Sequence, residues 1–269
     1  MKPKPFVFVS LGTKGGTRKS RSMALLYYFL LSLGISPIVI GLDTNNSLLQ
    51  MISRKGCQPE PEFYTWDLNN EDESRSYLKP LLLLAEQTGR PIILDFPAKG
   101  GNTLGIKTIL RTGILECAHV VGIAPVLPEE RSLASAIEAI ELIKPDDWIK
   151  FAYREINRAV QPTALHQTLE ALNAAATATI GELTLDESNE FVENLPVLVT
   201  QLADYIAEGG ISASNWIIFR NYWQTARASI SDAIVTAVPE LFPGNPGKNA
   251  TSPEATSSMK RKNKAAQIA

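Results

Sequence analysis

The segment that most constrains the fold of this chain lies near its start. A short apolar run, Phe6 to Leu11, leads directly into Gly12-Thr13-Lys14-Gly15-Gly16-Thr17-Arg18-Lys19-Ser20, and a long apolar stretch follows. This order of strand, glycine-rich loop and helix is typical of a phosphate-binding loop, because the N–H groups of such a loop surround phosphate oxygens at a helix N-terminus. We therefore expect Lys19 to contact phosphate and the Ser20 hydroxyl to complete a Mg²⁺ shell.

The loop departs from the strict pattern Gly-x4-Gly-Lys-Ser/Thr. Thr13 and Arg18 stand at the two glycine positions. A glycine before the lysine lets the backbone pass close to phosphate, with dihedral angles that a Cβ disfavours. Taken alone, such a loop could equally be a turn rich in glycine and lysine that follows a strand by chance. The flanking segments and two downstream aspartates favour the phosphate loop.

The apolar stretch after the loop predicts a buried helix and a buried strand. Residues 22–42 contain no charged side chain, which is the length and composition of a membrane span. Gly34 and Ser36-Pro37 interrupt this stretch, and each half is too short to span a bilayer. We predict a helix from Lys19 to about Leu33 and a parallel strand from Ile38 to Leu42.

Two aspartates follow predicted strands. Asp43 closes the strand that ends at Leu42, and Asp95 closes the apolar run Pro91-Ile92-Ile93-Leu94. An apolar strand that ends in Asp is the Walker B pattern, whose carboxylate holds a Mg²⁺ shell, usually through water. For Asp43, the alternative is an N-cap or turn residue after a strand.

The additional lysine, Lys14, carries a resemblance to a known family. The run Lys14-Gly15-Gly16-Thr17-Arg18-Lys19-Ser20 resembles the deviant Walker A loop of the ParA/MinD-type ATPases, Lys-Gly-Gly-x-Gly-Lys-Ser/Thr. In this family the signature lysine reaches across a nucleotide-sandwich dimer to the partner's ATP, so the resemblance implies that role for Lys14. It also implies that Asp43 orients the attacking water and that Ser20 and Asp95 hold Mg²⁺. Gly41 stands where many relatives have an accessory aspartate.

The resemblance implies a site for ATP and Mg²⁺. The implied catalytic residues are Lys14, Lys19 and Asp43, and the metal ligands are Ser20 and Asp95. The implied nucleotide-binding residues are Gly15, Gly16, Thr17, Arg18, Lys19, Ser20 and Asn157. Asn157 follows a late strand at a place where relatives often contact the base. Both ATP and GTP remain open as the nucleotide.

The segment Asp43-Thr44-Asn45-Asn46-Ser47-Leu48 resembles the plasmid-encoded StbB and TraL proteins of the same family. This similarity implies an ATP-dependent dimerising switch with slow hydrolysis, which acts with a DNA-binding partner in plasmid partition, stability or conjugative transfer. One alternative is a pseudo-ATPase scaffold that docks a DNA-binding partner without turnover. Another is a small-molecule ligase or kinase with a phosphate loop, because dethiobiotin synthetase shares this branch of folds.

Composition agrees with one globular α/β domain. The chain has 269 residues, of which 45% are hydrophobic and 20% charged, and a net charge of −2. Its two cysteines, far apart in the sequence, suggest neither a disulfide framework nor a metal site. No signal-peptide pattern is present, so we expect a cytoplasmic protein.

Alternating patterns predict a doubly wound, mostly parallel sheet flanked by helices, with helices at the C-terminal end. We predict the nucleotide-binding domain over residues 1–242 and a disordered basic tail over residues 243–269. Besides the elements already given, we predict helices over 74–89, 103–117, 129–143, 162–176, 187–207 and 215–238, and strands over 119–124, 148–153 and 179–183.

Two segments outside the loop raise alternatives. The aromatic-rich run from Asn215 to Trp223 is either the core-facing side of an amphipathic helix or a surface that docks a partner. The tail is either solvated without a partner, or its basic run contacts DNA phosphates non-specifically. The tail lacks the apolar face of a membrane-binding helix, so we predict no membrane anchor. Its basic residues are Lys260, Arg261, Lys262 and Lys264.

Overall fold

The computed structural model describes residues 4–13, 16–42, 47–53, 62–65, 70–97, 102–127, 129–155, 180–187 and 212–241, and isolated positions between 167 and 192. The strands are β1 (Phe6–Ser10), β2 (Ile38–Gly41), β3 (Phe63–Tyr64), β4 (Ile92–Asp95), β5 (His119–Val126), β6 (Asp147–Glu155) and β7 (Ile180–Glu187). The helices are α1 (Lys19–Ser32), α2 (Ser47–Ile52), α3 (Glu71–Thr88), α4 (Asn102–Arg111), α5 (Glu130–Ile143) and α6 (Ala213–Ala237).

The strands form one seven-stranded sheet in the order β3-β2-β4-β1-β5-β6-β7. All neighbouring strands are parallel, and β1 lies between β4 and β5, with Val7 opposite Ile92 and Phe6 opposite His119. Because the strands are parallel, their carboxyl ends share one edge, which is where this class of sheet binds ligands. The prediction of a doubly wound parallel sheet is confirmed.

Helices cover both faces of the sheet, so that two hydrophobic layers lie on either side of it. On β1, Phe8 packs into the layer that contains α1, α2 and α6. Val7 and Val9 point to the opposite face and pack into the layer with α3, α4 and α5. This alternation explains the continuous apolar runs of the strands, because a strand covered on both faces has no polar side.

The elements differ from the sequence predictions in a few places. The helix predicted over 103–117 ends at Arg111, because Gly113 adopts a left-handed conformation (φ +66°) and a 3₁₀ turn, Ile114–Cys117, follows it. Glu187 ends β7 and does not begin a helix. Helix α2 and strand β3 were not predicted. The helix predicted over 162–176, nearly all of that over 187–207, and the tail from 243 lie outside the described residues.

The apolar stretch of residues 22–42 folds as most of α1 and as β2, as predicted. Within the part of the chain that the structure describes, no helix has the length and apolar character to cross a membrane. In the aromatic-rich segment, Phe219 and Tyr222 are buried in the core, whereas Ile217 is exposed. The segment therefore packs mainly as the core-facing side of α6.

Candidate phosphate-binding site

The loop between β1 and α1 starts at the centre of the sheet. The N–H of Leu11 donates to the carbonyl of Ile123 at 2.7 Å, so the chain stays paired with β5 until it turns at Gly12. Gly12 has a φ of +142°, and a Cβ placed there would lie 3.2 Å from Cδ of Lys19 and 3.3 Å from Oγ1 of Thr17. Glycine is therefore required at position 12, since the stem of Lys19 lies against its Cα.

The loop side chains are held inside the protein. Thr17 and Lys19 are only 3% and 4% exposed, although one is polar and the other is charged. Lys19 is the first residue of α1, so its side chain stands at the helix N-terminus, which carries partial positive charge. Two sources of positive potential at one buried place suit a polyanion such as a phosphate chain.

Ser20 and Asp95 are in direct contact. The Ser20 hydroxyl donates to Oδ2 of Asp95 at 2.6 Å, and Asp95 is fully buried. The end of β4 is tied to β1, because the N–H of Phe96 donates to Oγ of Ser10 at 2.8 Å. A hydroxyl and a carboxylate at the carboxyl edge of adjacent strands are hard oxygen donors. The donor set therefore fits Mg²⁺, which prefers such ligands.

Thr13, at the first glycine position of the strict pattern, is accommodated by α5. Its N–H donates to Oγ of Ser135 at 2.7 Å, and its hydroxyl donates to the carboxylate of Glu138. Among the described residues only Arg18 and Lys144 have a positive φ without being glycine, so Thr13 needs no unusual backbone. The departure at position 13 therefore causes no backbone strain and links the loop to α5.

Arg18, at the second glycine position, has the left-handed conformation that the strict pattern assigns to glycine. Its φ and ψ are 60° and 23°. Its carbonyl accepts hydrogen bonds from the N–H of Ser22 at 2.9 Å and from the Ser22 hydroxyl at 3.1 Å. Its guanidinium carbon lies 5.7 Å from the centre of the Tyr153 ring. The side chain is thus directed toward the end of β6.

The structure brings together six of the predicted site residues: Gly16, Thr17, Arg18, Lys19, Ser20 and Asp95. Lys14, Gly15, Asp43 and Asn157 lie outside the described residues and stay predictions. Leu42, the residue before Asp43, donates its N–H to the carbonyl of Asp95 at 2.9 Å. The chain therefore enters position 43 beside the Ser20–Asp95 pair.

Sequence reasoning missed the residues that support the loop from elsewhere in the fold: Ser10, Ser22, Ser135, Glu138 and Tyr153. The three serines and the glutamate are ordinary helix or strand residues in the sequence, and Tyr153 reads as one more apolar residue of a strand. No local pattern marks them, because their role depends on contacts between distant segments.

Comparison with protein-family models and with the sequences of curated proteins gives no match. Comparison with solved structures does. Apo McdA from Cyanothece is 14% identical, with 83% of this chain and 98% of that chain covered and a TM-score of 0.50. The McdA–ATP complex gives 12% identity, 85% and 97% coverage, and a TM-score of 0.48.

Two further solved structures are similar to this chain over most of their length. MinD of Aquifex aeolicus, in complex with MinC, is 16% identical, covers 85% of this chain and 97% of its own, and has a TM-score of 0.47. A plasmid partition protein of Borrelia burgdorferi is 16% identical, with 71% and 94% coverage and a TM-score of 0.43.

The sheet, the loop and the likeness to McdA define the fold as that of a P-loop NTPase. The solved neighbours are ParA/MinD-type P-loop ATPases, so the resemblance predicted from the sequence is confirmed for the fold. At this level of identity the likeness concerns the fold and not the activity.

Proposed function

We propose that this chain is an ATP- and Mg²⁺-dependent switch protein of the ParA/MinD type. ATP favours a homodimer, and slow hydrolysis releases it. The observation that carries this proposal is the contact between the Ser20 hydroxyl and the Asp95 carboxylate, at the carboxyl edge of β1 and β4. McdA, whose fold this chain shares, is a protein solved with ATP.

The residues of the chain have distinct roles in this proposal. Lys19 binds the phosphate chain, and Ser20 and Asp95 hold the metal shell. Bound Mg²⁺ neutralises charge on the phosphate oxygens. Lys14 reaches the nucleotide of the partner protomer, and Asp43 orients the attacking water. The roles of Lys14 and Asp43 rest on the resemblance of the loop and of the segment that follows β2.

The process we propose is plasmid partition, stability or conjugative transfer, together with a DNA-binding partner protein. Its support is the likeness of residues 43–48 to the StbB and TraL proteins. The basic tail would add non-specific contacts with DNA phosphates.

The first test is stabilisation by nucleotide. Saturating Mg-ATP at a hundred times Kd should stabilise the fold by about 2.7 kcal/mol, which is about 5–10 °C in melting temperature for a chain of this length. Lys19→Ala should abolish the shift, because its ammonium contacts phosphate. Lys150→Ala is the matched control: Lys150 is also buried, but it pairs with Glu182 at 2.8 Å on β7. That variant should keep the shift even if its own melting temperature falls.

The second test separates the switch from its alternatives. Light scattering and phosphate release, measured on one sample, should show a dimer with ATP that turns over slowly. Nucleotide binding without turnover would indicate the scaffold, and turnover without dimerisation would favour a small-molecule enzyme. A melting curve unchanged by millimolar ATP or GTP would reject a nucleotide switch.

A further inference from the structure

We infer that Tyr153 is a positioning residue for the phosphate loop. It acts through Arg18 and holds the loop in the backbone conformation that glycine provides in the strict motif. The inference rests on the proposed nucleotide site, and it deepens that proposal by explaining how the site tolerates arginine at this position.

The backbone of Arg18 needs support from outside the loop. A side chain with a Cβ disfavours the left-handed region, whereas glycine enters it as readily as the right-handed one. Arg18 nevertheless has a φ of 60° at the residue that precedes α1. Such a conformation persists where neighbouring contacts fix it.

Tyr153 supplies these contacts from the opposite side of α1. It is 3% exposed and lies near the carboxyl end of β6. Its ring lies 5.7 Å from the Arg18 guanidinium carbon, within the range of a cation–π contact. Its hydroxyl lies 2.7 Å from Oγ of Ser22, and the Ser22 hydroxyl donates to the Arg18 carbonyl.

The direction of these hydrogen bonds follows from their chemistry. The single hydroxyl hydrogen of Ser22 is used by the Arg18 carbonyl, so the Tyr153 hydroxyl must donate to Oγ of Ser22. Tyr153 thus contacts the side chain of residue 18 with its ring and supports the carbonyl of the same residue through Ser22. Both ends of residue 18 are fixed by one aromatic side chain.

This arrangement predicts that the need for Tyr153 depends on the residue at position 18. If only a fraction of molecules holds the loop in its binding conformation, the apparent Kd rises in inverse proportion to that fraction. Removing the ring lowers the fraction when residue 18 is Arg. With glycine at position 18 the conformation needs no support, so the ring becomes dispensable for binding.

The test is a double-mutant cycle on Mg-ATP affinity, measured by titration calorimetry. Tyr153→Leu should weaken binding by about threefold to tenfold, as expected for a partly buried cation–π contact. Arg18→Gly alone should bind at least as tightly as the unsubstituted protein. In the Arg18→Gly background, Tyr153→Leu should change the affinity by less than about twofold.

Phe151→Leu is the control for simple loss of packing. Phe151 lies two residues earlier on β6 and is fully buried in the same layer, but it has no described contact with Arg18. This variant should lower the melting temperature and leave the affinity unchanged. Equal loss of affinity from Tyr153→Leu in both backgrounds, or no loss in either, would overturn the positioning role.

A second readout does not depend on nucleotide. Tyr153→Phe keeps the ring and removes the hydroxyl donor, so amide exchange of Ser22, whose N–H bonds the Arg18 carbonyl, should accelerate by about twofold to fivefold. Unchanged exchange would contradict the inference. If the unsubstituted protein binds no nucleotide, the proposed function fails, while this exchange measurement still decides whether Tyr153 supports the loop.

Discussion

Replacing Gly12 by alanine should damage both the stability of the protein and its candidate phosphate site. The substitution places a Cβ 3.2 Å from Cδ of Lys19, 3.3 Å from Oγ1 of Thr17 and 3.4 Å from Oγ of Ser135. These distances are tighter than ordinary van der Waals contact, so the neighbours must move. The φ of +142° is itself a conformation that alanine rarely adopts.

The expected loss follows from these two effects together. Backbone strain in a region that favours glycine costs about 1–3 kcal/mol, and crowding in a packed site adds about 1 kcal/mol or more. A total of about 2–4 kcal/mol corresponds to a fall of about 4–15 °C in melting temperature for a chain of this size. The affinity for Mg-ATP should fall about tenfold or more, because the Lys19 stem is displaced from the loop.

Gly34→Ala provides the matched control. Gly34 also has a positive φ, +77°, but a Cβ there would meet no atom within 4 Å. It should cost about 1–2 kcal/mol from strain alone and leave nucleotide affinity unchanged. The two variants are compared by thermal unfolding and by calorimetric titration with Mg-ATP. If both show the same melting temperature and the same affinity, the crowding of Lys19 against Gly12 does not matter and the reasoning is refuted.

Four further changes have defined outcomes. Lys14→Ala should bind nucleotide and remain monomeric with ATP in light scattering; normal dimerisation would exclude its role across the dimer. Asp43→Ala should bind ATP and prolong the ATP-bound dimer, which a chase with ADP measures against the unsubstituted protein. Gly181→Ala should unfold well below the normal temperature, because its Cβ would lie 2.4 Å from the carbonyl oxygen of Ala233 on α6; an unchanged melting curve would contradict this packing. Alanine at the four basic tail positions should leave folding unchanged and reduce the log K against log salt slope for duplex DNA by up to about 0.9 per lost contact, whereas identical slopes would mean that the tail is only solvated. Those positions are Lys260, Arg261, Lys262 and Lys264.

The strands of the sheet could be predicted because burial on both faces leaves a clear pattern. Ile38–Gly41 and Ile92–Asp95 are continuous apolar runs that end at polar or glycine-rich segments. Strand β3 has no such pattern, since it contains only Phe63 and Tyr64. Contacts from distant segments hold it: the N–H of Val39 donates to the Glu62 carbonyl at 3.0 Å, and Arg90 pairs with Glu62 at 2.6 Å.

The same distinction applies to the candidate site. The pairing of Ser20 with Asp95 could be expected, because the first follows β1, the second ends β4, and parallel strands place both at one edge. The support of Arg18 by Tyr153 could not. It depends on the exact position of β6 beside β5 and on where α1 crosses it, and neither is encoded within a few residues of the loop.

The central place of β1 in the sheet has a consequence for the order in which the protein forms. β1 is synthesised well before its two neighbours, since Val7 pairs with Ile92 and Phe6 with His119. Until both partners have left the ribosome, the loop that follows β1 has no sheet to hold it. Pairing over such sequence separations is slow, because the intervening chain must close before the contacts form. The segment with the nucleotide motif is therefore translated early and fixed late, and a chaperone that acts on the nascent chain would meet it as an exposed apolar strand.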